Sequence, residues 1–250
     1  MTRFSSRVVV VTGAASGVGR ATARRIAIEG GTVVCVDIAD GGGAGTVEQI
    51  RRNGGSAIAV ECDVAEPHQV QAAIVAAERH GGGIDVLVNC AGTGFYRRFP
   101  DQTPEEVDRV MAVNFGGPFW SCRYALDALL ASRGAVVNVV SAAAVRGSAY
   151  LTTYSASKGA LLAFTKSLAV EFGPQGLRAN AVSPGAIDTP LLQLFTPPED
   201  ADPYLMNRSR GLLGRMATPE EIAATITFLA SADAAHITGT NVLVDAGSTA

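Results

Sequence analysis

Short β-branched runs return along this chain with helical stretches between them, and that alternation narrows its possible folds more than any other feature. The strand candidates are Arg7–Val11, Thr32–Val36, Ser56–Glu61, Ile84–Val88, Ala135–Val140, Leu177–Val182 and Asn241–Val244. Most are nearly continuous apolar segments, the pattern of strands buried on both faces. Helix candidates lie between them at Gly17–Glu29, Ala44–Asn53, Pro67–Arg79, Pro104–Asn114, Gly117–Ala131, Thr152–Phe172 and Pro219–Ala230. Pro67, Pro104 and Pro219 stand where a first-turn proline belongs, and Thr103 and Thr218 precede two of them as caps. The expected fold is α/β: a single-domain, Rossmann-type, doubly wound parallel sheet of about seven strands with helices on both faces. One segment, 187–216, breaks the rhythm with Pro190, Pro197, Pro198 and Pro203 and no clean period. It reads as a lid over the substrate within one domain spanning 1–250.

Composition excludes several alternatives. With 48% hydrophobic and 17% charged residues over 250 positions, the chain is not disordered and buries a core that needs no disulfide or metal. A net charge of −3 gives no footprint for a polyanion, so no nucleic-acid partner is expected. Apolar runs fall short of a membrane span, and Met1–Val11 is too short for a signal-peptide core, so no membrane association or leader is expected. Cys35, Cys62, Cys90 and Cys122 are widely spaced in apolar surroundings, and His68, His80 and His236 are equally scattered. The cysteines read as reduced core residues of a cytoplasmic protein, and no metal site is expected.

After the first strand candidate, Thr12-Gly-Ala-Ala-Ser-Gly-Val-Gly19 leads straight into a helix. Glycines there let the backbone approach a pyrophosphate, and the N–H groups of the helix N-terminus point at the anion. Gly13, Ser16, Gly17, Val18 and Gly19 are therefore candidate cofactor contacts. Asp37 ends the second strand, about twenty residues after that loop. Its carboxylate can accept hydrogen bonds from an adenosine ribose and would repel a 2′-phosphate, so NAD(H) is the expected cofactor.

Tyr154-Ser-Ala-Ser-Lys158 opens a long helical segment. The i, i+4 spacing puts the phenol and the ammonium on one face, where the cation is expected to lower the tyrosine pKa. Such a tyrosine can exchange a proton with an alcohol as hydride transfer requires. Ser141 ends a strand candidate, and its hydroxyl can steady a substrate oxygen.

Taken in order, Thr12-Gly-x-x-x-Gly-x-Gly19, Asp63, Asn89-Cys-Ala-Gly92, Asn114, Ser141, Tyr154/Lys158 and Ser183-Pro-Gly185 resemble the short-chain dehydrogenase/reductase family. The likeness runs from Arg7 to Gly247. It implies that Ser141, Tyr154 and Lys158 are catalytic, that Asn114 serves a proton relay through the lysine, and that Tyr154 and Lys158 also touch the cofactor. Asn89, Ala91 and Gly92 would line the adenosine-ribose side; Asp63 and Val64 would meet the adenine. Pro184, Gly185, Ile187 and Thr189 would hold the nicotinamide end. Cys90 departs from the usual second asparagine.

The expected substrate side comprises Phe95, Ala143, Leu151, Ala186 and the lid residues Leu191, Leu192 and Phe195, with Leu194, Tyr204 and Met206 nearby. These are small or apolar side chains, suited to a small-to-medium apolar secondary alcohol or ketone. Arg97, Arg98, Arg208 and Arg210 read as solvated surface. The expected function is hydride transfer between NAD(H) and such a substrate. The alternatives are a 3-oxoacyl-[acyl-carrier-protein] reductase-like enzyme, which Asp37 disfavours because those enzymes usually take NADPH, and a non-catalytic dinucleotide-binding regulator. Asn241–Val244 would be an exposed sheet edge, and two helices are apolar on more than one stripe. A homo-oligomer is expected, and the resemblance implies a tetramer.

Overall fold

Buried valines fix the centre of the molecule. Val8–Thr12 (β1) is buried throughout, as are Val86–Asn89 (β4) and Ala135–Val139 (β5), as strands covered on both faces must be. The computed structural model describes residues 2–39, 41–207 and 211–250. Around these strands the chain runs α1 (Gly17–Ile28), β2 (Thr32–Asp37), α2 (Ala44–Arg52), β3 (Ser56–Glu61) and α3 (Pro67–Gly81). After β4 come α4 (Pro104–Met111) and α5 (Gly117–Ala131), then after β5 α6 (Thr152–Phe172), β6 (Arg178–Pro184), α7 (Pro203–Asn207), α8 (Pro219–Ala230) and β7 (Asn241–Val244). Among the described residues all seven strands pair in parallel in the order β3-β2-β1-β4-β5-β6-β7.

Two apolar layers cover the sheet. One gathers Val9, Val11, Val33 and Cys35 from the strands with Ile26, Val47, Ile50, Ile222, Ile226 and Leu229 from α1, α2 and α8. The opposite layer joins Val10, Val34, Leu87 and Val136 to Ile74, Ala77, Ala125, Leu129 and Leu168 from α3, α5 and α6. Each large side chain so buried contributes about 1.5–3 kcal/mol. Thr103 and Thr218 form capping boxes with Glu106 and Glu221 at the starts of α4 and α8, each worth about 1 kcal/mol.

Element boundaries differ from the sequence expectation in three informative places. β1 starts at Val8 and β4 at Val86 because Asp85 turns its carboxylate to the Val8 N–H at 2.8 Å and to Arg7 at 2.6 Å. β6 continues through Pro184, which lies opposite Val244 in the β7 ladder. The helix expected over 104–114 ends at Met111 and passes into a π-helical turn, Ala112–Gly116, that leads directly into α5. Within the 187–216 segment, Pro190–Leu194 forms a 3₁₀ turn and Pro203–Asn207 a short helix. Arg208 and Arg210 lie outside the described residues. No helix among the described residues is long and apolar enough to cross a membrane.

Candidate active site

Strand order reverses between β1 and β4: the chain travels one way to β2 and β3 and the other way to β5, β6 and β7. The loops leaving the carboxyl ends of β1 and β4 therefore part and leave a crevice, the usual ligand position in such a sheet. A cleft of about 450 Å³ lies there and runs from Asp37 to Tyr154. Thr12 pins its floor, its Oγ1 accepting from the N–H groups of Cys90 at 3.0 Å and Ala91 at 3.1 Å. Gly13 makes that closeness possible: with φ at 69°, a Cβ there would stand 2.9 Å from the Ala91 backbone.

The residues present fit a dinucleotide. Gly13, Gly17, Gly19, Gly92 and Gly185 line the cleft and leave those parts of its wall without side chains. Ser16 precedes α1 without a side-chain cap, and no acid occupies the first turn, so those N–H groups are left for an anion. Ser16, Val18, Val64, Asp63, Ala91, Pro184, Ile187 and Thr189 line the same cleft. Asp37 closes one end, accepting from the Ala15 N–H at 2.8 Å and the Ala39 N–H at 3.0 Å. Asp63 is held by Arg109 at 2.8 Å and by the Ala65 N–H at 2.9 Å. Burial raises its carboxyl, but Arg109 and Ala65 outweigh that and hold it below its ordinary value.

The structure corrects the expected place of Asn89. Its side chain is buried away from the cleft, donating to Asn138 Oδ1 at 2.8 Å, and Asn138 donates in turn to Thr165 Oγ1 at 2.8 Å. The reason is strand alternation: Asn89 shares a face with Leu87, which packs toward α3 and α5. Cys90 lines the cleft instead.

At the other end, Ser141, Tyr154 and Lys158 converge on one wall. Ser141 follows β5, and its Oγ accepts from the Ala143 N–H at 3.1 Å while sharing a hydrogen bond with the Tyr154 phenol. Lys158, on the helix turn after Tyr154, donates to the Val139 carbonyl at 2.9 Å. Asn114 sits in the π turn with its amide fully engaged. It accepts from the Thr93 N–H at 2.9 Å and donates to the Thr93 carbonyl at 2.9 Å and to Ser157 Oγ at 3.0 Å. Ser157 donates to the Tyr154 carbonyl at 2.7 Å, so the π turn is tied to the helix turn that carries the tyrosine.

Electrostatics at this end reverse one expectation. Burial pushes the Tyr154 phenol above its ordinary value, opposed by the Ser141 hydrogen bond and reinforced by Tyr96. Burial also drives the Lys158 ammonium down to about 8, partly offset by Cys90. The expected lowering of the phenol by Lys158 is absent because desolvation of the ring outweighs a cation whose hydrogen bond goes to Val139.

Of the expected substrate-side residues, Leu191 lines the cleft. Phe195 packs edge-on against Tyr154, with ring centres 5.5 Å apart. Ala143 is buried. Phe95, which lies under the Arg97 guanidinium, and Leu151, next to the start of α6, stand outside the cleft wall; Ala186 and Leu192 are exposed. The sequence reading missed Thr93, Arg109 and Pro190, which line the cleft, and Tyr96, whose ring meets Phe195. Thr93 was within reach, as the residue after Gly92. Arg109 was not, because nothing local marks an arginine that pairs with a carboxylate 46 positions away.

A family model described as Enoyl-(Acyl carrier protein) reductase matches residues 13–249. The 4-formylbenzenesulfonate dehydrogenase TsaC1/TsaC2 of Comamonas testosteroni is 42% identical over 98% of both chains. Meso-2,3-butanediol dehydrogenase of Serratia marcescens is 36% identical over 99% of this chain and 96% of that one, and the cyclohexanol dehydrogenase of an Acinetobacter strain is 35% identical over 99% and 96%. Among solved structures, a short chain dehydrogenase from Burkholderia cenocepacia in complex with NADP superposes with a TM-score of 0.90 at 30% identity, covering 99% of this chain and 100% of that one. A 3-ketoacyl-(acyl-carrier-protein) reductase from Brucella melitensis complexed with NADH gives 0.88 at 33% identity, covering 98% and 99%.

Proposed function

The chain belongs to the short-chain dehydrogenase/reductase family, and from that premise we propose that it transfers a hydride between NAD(H) and a small-to-medium apolar secondary alcohol or ketone. Hydride transfer at a CH–OH group is supported by relatives named as butanediol, hydroxysteroid and cyclohexanol dehydrogenases. The observation that carries the reading is the single cleft with Asp37 at one end and Ser141, Tyr154 and Lys158 at the other. When bound, the nicotinamide ring supplies or accepts the hydride. In reduction Tyr154 would give its proton to the carbonyl oxygen of the substrate. Ser141, already bonded to the phenol, steadies that oxygen, which gains negative charge as the hydride arrives. Oxidation runs the same steps in reverse, and Tyr154 must then begin as phenolate.

Gly13, Ser16–Gly19, Ala91, Gly92, Asp63 and Val64 would hold the dinucleotide, with Pro184, Gly185, Ile187, Thr189, Tyr154 and Lys158 at its nicotinamide end. Asp37 supports NAD(H) because a 2′-phosphate placed on it meets a fixed negative charge. Leu191 and Phe195, with Leu194 on the cleft wall, support an apolar substrate beneath a lid over 187–216. The four unpaired cysteines suit a reducing cytoplasm. The aromatic surface of the π turn, α5 and α6, where Phe115, Phe119, Trp120, Tyr124 and Phe164 adjoin one another, supports a homotetramer.

An acyl-carrier-protein reductase remains the second reading, favoured by the family model's description and one solved neighbour. Against it, Arg97 and Arg98, the cations an acidic carrier would need, are already paired with Glu106 and Asp200. The test is turnover of a panel of small ketones, secondary alcohols and acyl thioesters with NADH and NADPH, alongside Tyr154→Phe. Activity on small ketones with NADH supports the first reading. Activity confined to acyl thioesters with NADPH overturns it, and binding without turnover of any substrate favours a regulator.

A further inference from the structure

Asp37 and Asp63 line the adenosine end of the cleft, and a third carboxylate, Glu61, lies beside Asp37 on the neighbouring strand. Asp37 and Glu61 are register partners at the carboxyl ends of the parallel strands β2 and β3. Val33 and Cys35 on one strand and Ala57 and Ala59 on the other pack into the same apolar layer. Alternation then puts Asp37 and Glu61 on that same face. Both grip the turn that follows β2: Asp37 accepts from the Ala39 N–H at 3.0 Å and Glu61 from the Gly41 N–H at 3.1 Å. Gly42 lets the turn lie flat on the end of β3. Its φ is 57°, and a Cβ there would stand 2.2 Å from the Val60 carbonyl carbon.

We propose that Glu61 is a second selector of the cofactor, disfavouring by its charge a dinucleotide that carries a phosphate on its adenosine ribose. The inference rests on the reading of the Asp37 end as the adenosine end. A ribose 2′-phosphate carries roughly −1.5 to −2 charges near neutral pH, so placing it at Asp37 also brings it toward the carboxylate on the neighbouring strand. Asp63 is paired with Arg109, so Arg20, which donates to the Ala15 carbonyl, is left to oppose the charges of Asp37 and Glu61. Because Glu61 is exposed, its effect is screened and smaller than that of Asp37.

Fluorescence titration of the full chain with NADH and with NADPH tests this without a known substrate. Glu61→Gln keeps an acceptor for the Gly41 N–H and removes only the charge. It should lower the ratio of the NADPH Kd to the NADH Kd by about threefold, and by a similar factor again when added to Asp37→Ala. Raising salt to about 0.5 M should shrink the effect, and in the unsubstituted protein should weaken the discrimination itself. The same change at Glu171, exposed at the far end of α6, should leave the ratio alone. A ratio unmoved by Glu61→Gln in both backgrounds, or moved equally by Glu171→Gln, overturns the proposal. Equal dissociation constants in the unsubstituted protein would overturn the NAD(H) reading instead, because Glu61→Gln should still shift the ratio.

Discussion

The Lys158 ammonium lies 5.9 Å from the centre of the Tyr154 ring and gives its hydrogen bond to the Val139 carbonyl at 2.9 Å. Burial therefore governs the phenol and raises it. A raised phenol keeps its proton at neutral pH, the form that donates in ketone reduction. Alcohol oxidation needs the phenolate, so its kcat should climb with pH, by up to about tenfold per unit, through the neutral range and beyond. Reduction should stay level at neutral pH and fall at alkaline pH. Steady-state profiles in both directions check this, and an oxidation rate already level at neutral pH would contradict it.

Removing the phenol oxygen should separate chemistry from binding. Tyr154→Phe should reduce kcat by at least about a hundredfold while NADH still binds, because the proton moves only in the transition state. Isothermal titration with NADH and single-turnover assays supply the two readouts. Retention of about a tenth of normal kcat would mean that the acid lies elsewhere.

Cofactor choice should follow Asp37. The unsubstituted protein should prefer NADH over NADPH by at least about tenfold in kcat/KM, or about 1.4 kcal/mol. Asp37→Ala should shrink that preference, since it removes both the ribose acceptor and the repulsive charge. It also frees the Ala15 and Ala39 N–H groups, so a modest loss of stability should accompany the change.

Alkaline pH should unfold this protein through its buried thiols. Burial pushes Cys35 and Cys122 up to about 12, from an ordinary value of 9.0. Below pH 9 both folded and unfolded chains keep these protons and the contribution is complete. From there to about 12 the unfolded chain releases protons that the folded one retains, so stability falls by about 1.4 kcal/mol per pH unit for each thiol. Lys158 acts in the opposite sense between about 8 and 10.5, which leaves the fall steepest above 10.5. Urea melts at increasing pH should show this slope, and Cys122→Ala should flatten it; an unchanged slope in that variant would refute the assignment.

Assembly and lid motion are open to one experiment each. Light scattering at micromolar concentration should give a tetramer, with α5 and α6 protected from hydrogen exchange; a monomer would overturn the assembly. The 187–216 segment should exchange quickly without ligands and slowly with cofactor and substrate bound. Protection already present in the free protein would remove the gating role.

Alternation of apolar runs determined the order of strands and helices, since buried parallel strands and their crossovers leave a local pattern. The glycine loop, Asp37, Ser141 and the Tyr154/Lys158 pair were equally legible, because each stands at a strand end or on a helix face where sequence spacing fixes direction. Tertiary structure decided the rest. Asn89 turns into the core because its strand's register with β5 sets it beside Asn138. The π turn at Asn114 exists because Thr93 and Ser157, both distant in sequence, claim its amide. The sign of the Tyr154 shift was also hidden, since an i, i+4 spacing brings a cation near a phenol but says nothing of how much water the fold removes from both. Local pattern fixes which elements form and what they present; solvation and long-range partners belong to the packed whole.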